Sequence, residues 1–251
     1  MDLKDFFCQN PAGILAFSGG VDSSLLAWAA AKYGKKWEAY YLHSAFQPAF
    51  ELADARKLAA EVGLPLTVLE LDILALEAVA ENPGNRCYFC KKAIFSAICE
   101  KAAQNGFSLV IDGTNASDDS ADRPGLQALR ELEIRSPLRE CGWTKADVRR
   151  LSREVPLFTW DKPAYACLAT RIPCGTRITA EKLRKIEDGE AALTALGFRD
   201  FRIRLQGDGA VVQLTQSQLH RAWAQREALL ETLSPLFSPV TLDLKPRTPS
   251  E

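Results

Sequence analysis

The segment that most constrains the fold is Ser18-Gly19-Gly20-Val21-Asp22-Ser23, a loop with two adjacent glycines. Before it, the apolar run 14–17 predicts a buried strand, and after it an amphipathic run predicts a helix that ends near Gly34. Gly19 and Gly20 let the backbone turn sharply and approach a ligand with no Cβ in the way. Because the N-terminus of the next helix offers unpaired N–H groups and a positive dipole end, the loop is predicted to bind an anion.

The side chains of this loop favour pyrophosphate as the anion. Ser18 and Ser23 offer hydroxyl donors to phosphate oxygens, whereas Asp22 cannot favour a bare phosphate and is explained only beside a metal ion or a leaving pyrophosphate. No lysine stands at the Walker A spacing, which excludes that class of loop. The plain alternative is a strand-to-helix turn in which serine and aspartate only cap the helix. The string S-G-G-V-D-S after a strand resembles the PP-loop of the N-type ATP pyrophosphatases, which split ATP between its α and β phosphates.

Strands and helices are predicted to alternate over the first part of the chain, with further strands at 37–43, 65–71 and 109–112 and a helix at 93–103. This rhythm favours a parallel sheet covered on both faces, with ligands outside the carboxyl ends of the strands. Gly113 follows the fourth strand, so we expect it near the Ser18 loop, where it would let a ribose approach. A plain turn is the alternative.

The pattern changes beyond Thr179. A helix closed by Gly197 is followed by strands at 201–205 and 210–214 around a glycine turn, a helix at 219–233 and a strand at 240–244. The predicted fold is therefore α/β: a doubly wound parallel sheet of the PP-loop (adenine nucleotide alpha hydrolase-like) type in residues 1–175 and a small α+β domain in residues 176–251.

Composition narrows the functional class. The chain has 251 residues, of which 47% are hydrophobic and 25% charged, and a formal net charge of −1 gives no overall reason to expect nucleic-acid binding. No apolar run reaches membrane-spanning length and the N-terminus does not read as a signal peptide, so we expect a cytoplasmic protein without a membrane partner. Seven cysteines at irregular spacing favour metal or reactive-thiol roles over a disulfide framework.

Cys87 and Cys90 form a C-x-x-C motif, which suits a redox pair, half of a zinc site or two ligands of an iron–sulfur cluster. The two histidines stand in unrelated contexts, so three thiolates are easier to assemble than a mixed site. Cys167, in the aperiodic segment 160–179, is the best third ligand, and a small buried hydrophobe is its alternative. Three interpretations of Cys174 are open: a fourth ligand, a resolving thiol or, as we favour, a residue with no part in the site.

Other polar residues are weaker candidates for binding a phosphate or a metal ion. Arg202 and Arg204 alternate on one strand, so both guanidinium groups face the same side and suit a phosphate, although a solvated strand face is equally consistent. Glu187 and Glu190 share a helix face, where contact with water is favoured over a metal. Another polar loop contains Asp118, Asp119, Asp122 and Arg123. This loop either binds magnesium or, as we favour, is solvated.

Together these features resemble the LarE family of PP-loop sulfur transferases. The resemblance runs from the loop to the C-terminal hairpin and rests on Phe17–Ser23, Asn85–Lys91, Asp112–Asn115, Arg123–Gly125, Ser136–Leu138 and Lys162–Arg171. It implies that ATP adenylates each carboxylate of pyridinium-3,5-biscarboxylic acid mononucleotide in turn. Sulfur then attacks and AMP leaves, in the synthesis of the nickel-pincer cofactor of lactate racemase. The resemblance also implies a homo-oligomer.

The LarE family divides by its source of sulfur. One branch sacrifices the sulfur of the cysteine in A-C-L-A-[ST]-R, leaving dehydroalanine, and the other holds a [4Fe–4S] cluster on three cysteines, with one iron open to an extra sulfide. This chain has the motif cysteine, Cys167, and also Cys87 and Cys90, and so resembles the cluster branch. The sequence leaves open a PP-loop tRNA thiolase and a non-catalytic adenine-nucleotide module with a structural zinc.

The resemblance also implies a set of site residues. ATP and magnesium are assigned to Ser18, Gly19, Gly20, Asp22 and Ser23, with Gly113 near the ribose. Asp22 and Cys167 are the implied catalytic residues, Arg202 and Arg204 the substrate-phosphate ligands, and Glu190 an acid near that pocket. The chain departs from the family pattern at Thr170, where serine is frequent, at Pro173-Cys174-Gly175, where P-Y-G is common, and at Gln213, where an acid is expected.

Overall fold

The computed structural model describes residues 2–118 and 124–248. Its contacts divide the chain into two compact units, the first formed by Met1–Ile73 and Asn85–Lys162 and the second by Leu74–Gly84 and Pro163–Glu251. This division differs from the prediction of one domain boundary after residue 175. The long aperiodic segment belongs mostly to the second unit, and the short stretch 74–84 joins it there.

The secondary structure of the described residues follows the predicted alternation. The strands are β1 Ala12–Ala16, β2 Lys36–His43, β3 Leu66–Glu70, β4 Val110–Ile111, β5 Arg202–Gln206, β6 Gly209–Gln213 and β7 Val240–Leu242. The helices are α1 Leu3–Gln9, α2 Val21–Tyr33, α3 Ala49–Val62, α4 Glu77–Ala80, α5 Arg86–Gln104, α6 Pro124–Glu131, α7 Pro137–Glu140, α8 Lys145–Glu154, α9 Ala180–Ala195, α10 Gln216–Ala224 and α11 Arg226–Leu233. Two 3₁₀ turns lie at Ile73–Ala75 and Leu168–Arg171.

The first unit is built on a four-stranded sheet in the order β3-β2-β1-β4, in which every pairing is parallel. Adjacent residues in β1 and β2 face opposite sides. Leu15 and Tyr41 belong to a core with residues of α2, α3 and α8, whereas Ile14 and Tyr40 pack with residues of α5. Both faces are therefore buried, which confirms the predicted doubly covered parallel sheet.

The strand order reverses between β1 and β4, which makes this the switch point of the sheet. Ligands of open α/β sheets bind in the crevice outside the carboxyl ends of the strands at such a point. The Ser18 loop follows β1 and the Asp112–Asp118 segment follows β4, so the topology brings these two loops to one crevice.

The second unit contains the predicted αββαβ order. Thr179 caps α9 through a hydrogen bond from the Lys182 N–H, β5 and β6 form an antiparallel hairpin, and β7 pairs parallel with β6. The helix predicted at 219–233 is in fact two helices that meet at Gln225. In the same unit, the Asn82 amide donates to the carbonyl oxygens of Ile172, Pro173 and Thr176, which explains why stretch 74–84 belongs there.

Two helices differ from the sequence prediction. Helix α1 was not predicted, although Asp2 and Asp5 form a capping box at its start and Phe6 and Phe7 are buried. Helix α5 begins at Arg86 rather than at residue 93, so the C-x-x-C motif lies in its first turns. Within the described ranges, no helix combines the length and the apolar composition that a membrane crossing requires.

Candidate functional site

The Ser18 loop has the geometry of an anion cradle. Gly19 adopts φ +72°, and Gly20 is the N-cap of α2, so no side chain caps the first turn of that helix. The Ser23 hydroxyl donates to the Gly20 carbonyl at 3.1 Å and lies 3.1 Å from the Ser18 hydroxyl. The structure thus brings both predicted serines together at a helix N-terminus, where N–H groups and the helix dipole favour an anion.

Asp22 stands at the edge of this cradle between two donors that come from distant parts of the chain. Lys145 Nζ lies 2.5 Å from Asp22 Oδ2, and the Asn115 amide donates to Asp22 Oδ1 at 3.0 Å. The Asp22 and Lys145 side chains are 20% and 21% exposed, so the pair borders solvent. No motif in the sequence indicates a function for Lys145, whose position as the first residue of α8 indicates only a helix start.

Gly113 packs directly against the cradle. A Cβ at this position would lie 3.1 Å from the Ser23 backbone nitrogen and 3.3 Å from Asp22 Cβ, closer than a side chain is comfortably accommodated. The glycine thus allows the close approach of the β4 and β1 loops without displacing the neighbouring atoms, and it lies beside the Ser18 loop. Its contact with a ribose remains a prediction.

The rest of the β4 loop is held by internal hydrogen bonds. Asp112 is buried and accepts from the Ser136 hydroxyl at 2.6 Å and from the Thr114 hydroxyl. Asp118 accepts from the Asn115 N–H at 3.0 Å, which gives it a role in the turn. The other members of the predicted polar loop lie outside the described residues; they are Asp119, Asp122 and Arg123.

A second lysine also reaches the cradle. Lys162 Nζ lies 2.6 Å from Asp54 Oδ2 on α3 and 3.4 Å from the Gly19 carbonyl oxygen. Burial is the main cause that raises the pKa of Tyr41, and the negative charges of Glu51 and Asp54 raise it further. The Tyr41 hydroxyl is buried without a partner in the described part of the chain. Lys162 therefore pairs with an acid of α3 and lies within reach of one carbonyl of the loop.

Cys87 and Cys90 lie three positions apart in α5 and so project from one side of the helix near its N-terminus. Cys87 is exposed and receives a hydrogen bond from Arg86 Nη2 to its sulfur at 3.7 Å, and Cys90 is half-buried. The pair is thus accessible and suitably spaced for two ligands of one centre.

Cys167 belongs to the second unit. It immediately precedes the 3₁₀ turn Leu168–Arg171 and is half-buried. Its carbonyl oxygen accepts from the Thr170 N–H at 3.0 Å and from the Thr170 hydroxyl at 2.8 Å. Across residues 2–118 and 124–248, no group of three or more histidine, cysteine, aspartate or glutamate side chains is arranged to hold a metal ion. The three-cysteine centre accordingly stays a prediction.

Two of the remaining cysteines are packed against the cores. Cys99 contacts the α5 side of the sheet and Cys141 the opposite side, and burial raises the pKa of both thiols. Cys174 is exposed.

A buried ion pair anchors the backbone around Cys167, because Arg171 Nη1 donates to the Ala166 carbonyl at 2.6 Å. Arg171 and Glu190 are 1% and 6% exposed, and two nitrogens of Arg171 meet both carboxylate oxygens at 2.9 and 3.2 Å. Glu190 also accepts from the Tyr165 hydroxyl at 2.5 Å and from the Ile203 N–H at 3.1 Å. Glu190 is therefore a structural acid rather than the solvated residue that we expected, because every acceptor position has a partner.

Arg202 and Arg204 lie on β5 next to this anchor, and both reach the cysteine-bearing segment. Arg202 Nη2 donates to the Ala164 carbonyl at 2.6 Å, and Arg204 Nη1 donates to the Thr170 carbonyl at 2.9 Å. Burial, reinforced by the positive charges of Arg171 and Arg247, lowers the pKa of Arg202 to about 10. The guanidinium group still carries its charge at neutral pH and remains suited to a phosphate.

Gln213, which stands where an acid was expected, links Arg204 to a more distant acid. Arg204 Nε donates to Gln213 Oε1 at 2.7 Å, and Gln213 Nε2 donates to Asp243 Oδ2 at 2.9 Å. This hydrogen bond is the main reason that the pKa of Asp243 is lowered. Among residues 2–118 and 124–248, the neutral amide therefore stands where a carboxylate would pair directly with Arg204.

The cradle at the switch point of a parallel sheet defines the class: this is a PP-loop α/β protein. A tRNA(Ile)-lysidine synthase of Polaromonas naphthalenivorans is 30% identical over 47% of this chain and 38% of that protein, as a shared PP-loop region would produce. Residues 12–156 match a family described as "Family of unknown function (DUF7411)".

More extensive similarity extends over nearly the whole chain. An uncharacterized protein of Synechocystis sp. is 36% identical over 97% of this chain and 92% of its own length. The pyridinium-3,5-bisthiocarboxylic acid mononucleotide synthase of Lactiplantibacillus plantarum is 34% identical over 92% of this chain and 84% of its own length. The chain therefore belongs to the LarE family, and its residues 12–156 also match the DUF7411 family model. The resemblance to the LarE family found in the sequence is confirmed.

Proposed function

We propose that this protein is an ATP-dependent sulfur transferase that converts the carboxylates of pyridinium-3,5-biscarboxylic acid mononucleotide into thiocarboxylates. The observation that carries the proposal is the Ser18–Ser23 cradle in a chain that is 34% identical to a synthase named for the bisthiocarboxylic product. A carboxylate oxygen is a poor leaving group, and adenylation makes it a good one.

In the first half of the reaction, a substrate carboxylate oxygen attacks the α-phosphorus of ATP, and the bond to pyrophosphate breaks. The N-terminus of α2 and the hydroxyls of Ser18 and Ser23 bind the departing pyrophosphate. Asp22 suits magnesium because its carboxylate borders solvent at the edge of the cradle, and oxygen ligands are what this ion prefers. Magnesium held there would neutralise charge on the phosphates.

In the second half, a sulfur nucleophile attacks the acyl carbon and AMP leaves. Thiol ligands fit an iron–sulfur centre, and Cys87 and Cys90 share one side of α5 near its N-terminus. Cys167 is the third ligand proposed from the family resemblance. A [4Fe–4S] cluster on these three residues would supply an extra sulfide at its open iron. The sacrificial alternative breaks the Cβ–S bond of Cys167 and leaves dehydroalanine.

The substrate assignment is tested by AMP release. With ATP, magnesium, a sulfide source and the biscarboxylate mononucleotide, AMP and pyrophosphate are expected in equal amounts, and neither is expected when the nucleotide is omitted. Absence of AMP with this nucleotide would remove the substrate assignment. Binding of tRNA that weakens steeply with salt would instead favour a thiolase.

The cluster is tested by anaerobic purification of the full chain. We expect a brown protein with iron and at least as much acid-labile sulfide, and loss of most of the iron in the variants Cys87→Ser and Cys90→Ser. The control is Cys174→Ser, which changes an exposed cysteine and is expected to retain the iron. A colourless protein with one tightly bound zinc would contradict the cluster.

The substitution Gln213→Glu is expected to raise KM for the nucleotide about tenfold, because a charge-assisted bond to Arg204 would compete with the substrate phosphate. The substitution also removes the hydrogen bond that the Gln213 amide donates to Asp243 and places a second carboxylate there. Steady-state kinetics at saturating ATP measure the effect. The matched control is Gln206→Glu, on an exposed position of the same hairpin, and an equal rise in KM there would refute the explanation.

A further inference from the structure

The two arginines of β5 contact the cysteine segment, defined as residues 164–170, at symmetric positions. Arg202 binds the carbonyl of Ala164 and Arg204 that of Thr170, and these residues lie three positions before and three after Cys167. Hydrogen bonds to charged donors are stronger than those between neutral groups. The backbone on both sides of Cys167 is thus held by guanidinium groups of one strand.

Neither guanidinium group is fully used by these contacts. Each has five N–H donors. Arg202 also binds the Phe201 carbonyl, and Arg204 also binds Gln213, so all the partners are neutral. Among the described residues, no carboxylate forms an ion pair with either arginine. Donors and net positive charge therefore remain for an anion while the carbonyl contacts persist.

We infer that Arg202 and Arg204 are positioning residues for Cys167 as well as ligands of the substrate phosphate. This inference rests on the proposed function for its substrate. One guanidinium group binds the phosphate and a backbone carbonyl of the cysteine segment at the same time. The two arginines thereby fix the segment relative to the bound nucleotide, and phosphate binding stiffens the segment.

The planar fork of arginine is what makes this double role feasible. A lysine ammonium is a compact point charge that retains attraction for a phosphate, but it cannot reproduce the fixed fork that joins two partners. The substitutions Arg204→Lys and Arg202→Lys consequently separate charge from positioning. Arg204→Met removes both.

Hydrogen–deuterium exchange of the intact protein, with and without inorganic phosphate, tests the inference. In the unsubstituted protein we expect phosphate to slow exchange in the cysteine segment. In Arg204→Lys we expect exchange there to be about tenfold faster and insensitive to phosphate, with phosphate affinity within about threefold of the original. Arg202→Lys is a second, independent variant. Arg199→Lys, an exposed arginine of the same unit, is the control.

Kinetics provide the second readout. Arg204→Lys should lower kcat about tenfold with KM for the nucleotide nearly unchanged, whereas Arg204→Met should also raise KM. Unchanged exchange in both lysine variants, or a phosphate affinity lost together with segment protection in both, would overturn the positioning role. Segment protection without any thiocarboxylate product would instead preserve this inference and remove the proposed function.

Discussion

Replacing Glu190 with glutamine is expected to destabilise the second unit by about 3–5 kcal/mol, since it leaves the buried charge of Arg171 without its counter-charge. The Arg171 side chain is 1% exposed and cannot reach water in place of the lost partner. The carboxylate also accepts from Tyr165 and the Ile203 N–H, so the effect spreads to β5. Chemical denaturation followed by circular dichroism measures the loss.

The matched control is Glu181→Gln, on the same helix. Glu181 pairs with Lys185 at 3.0 Å in solvent, and exposed pairs of this kind contribute little to stability. We therefore expect its unfolding midpoint to stay near that of the unsubstituted protein. Equal midpoints for Glu190→Gln and Glu181→Gln would show that the buried pair does not stabilise the unit.

Replacing Asp22 with asparagine is expected to lower the rate of AMP formation by about 10²-fold or more, with little change in stability. The neutral amide loses the charge that attracts magnesium and that pairs with Lys145. Because both side chains border solvent, Lys145 can turn to water, and the fold loses little. Single-turnover AMP release and thermal unfolding are the two measurements.

Asp188→Asn provides the control for that experiment, because it makes the same chemical change at an exposed position of α9. We expect the AMP rate to be unaffected by it. An Asp22→Asn protein that releases AMP at the original rate would show that this carboxylate has no part in adenylation.

Much of the fold could be predicted because it depends on local patterns. Apolar runs located the strands of the parallel sheet, and Thr179 and Gly197 marked the limits of α9 through capping chemistry. The start of α5 was missed because Arg86-Cys87-Tyr88-Phe89-Cys90 has no helical apolar period. Helix α1 carried a capping box at Asp2 and Asp5, which could have indicated it.

The cradle itself could be predicted, but its surroundings could not. Ser18 and Ser23 are five positions apart, so a local motif describes them. Lys145 reaches Asp22 across 123 positions and Lys162 reaches Gly19 across 143, and no periodicity reports such contacts. The hydrogen bonds of Arg202 and Arg204 to the cysteine segment likewise depend on tertiary packing, which only the structure supplies.

Mass spectrometry of the nucleotide is the most direct test of the proposed sulfur transfer. The nucleotide is analysed after reaction with ATP, magnesium and the anaerobically prepared protein. We expect that sulfur replaces one oxygen in each carboxylate, that one AMP is released for each exchange, and that Cys167 keeps its sulfur. Dehydroalanine at Cys167 would replace the cluster route with sacrificial donation. A nucleotide that keeps all its oxygens, despite an intact cradle and bound iron, would contradict the proposed sulfur transfer.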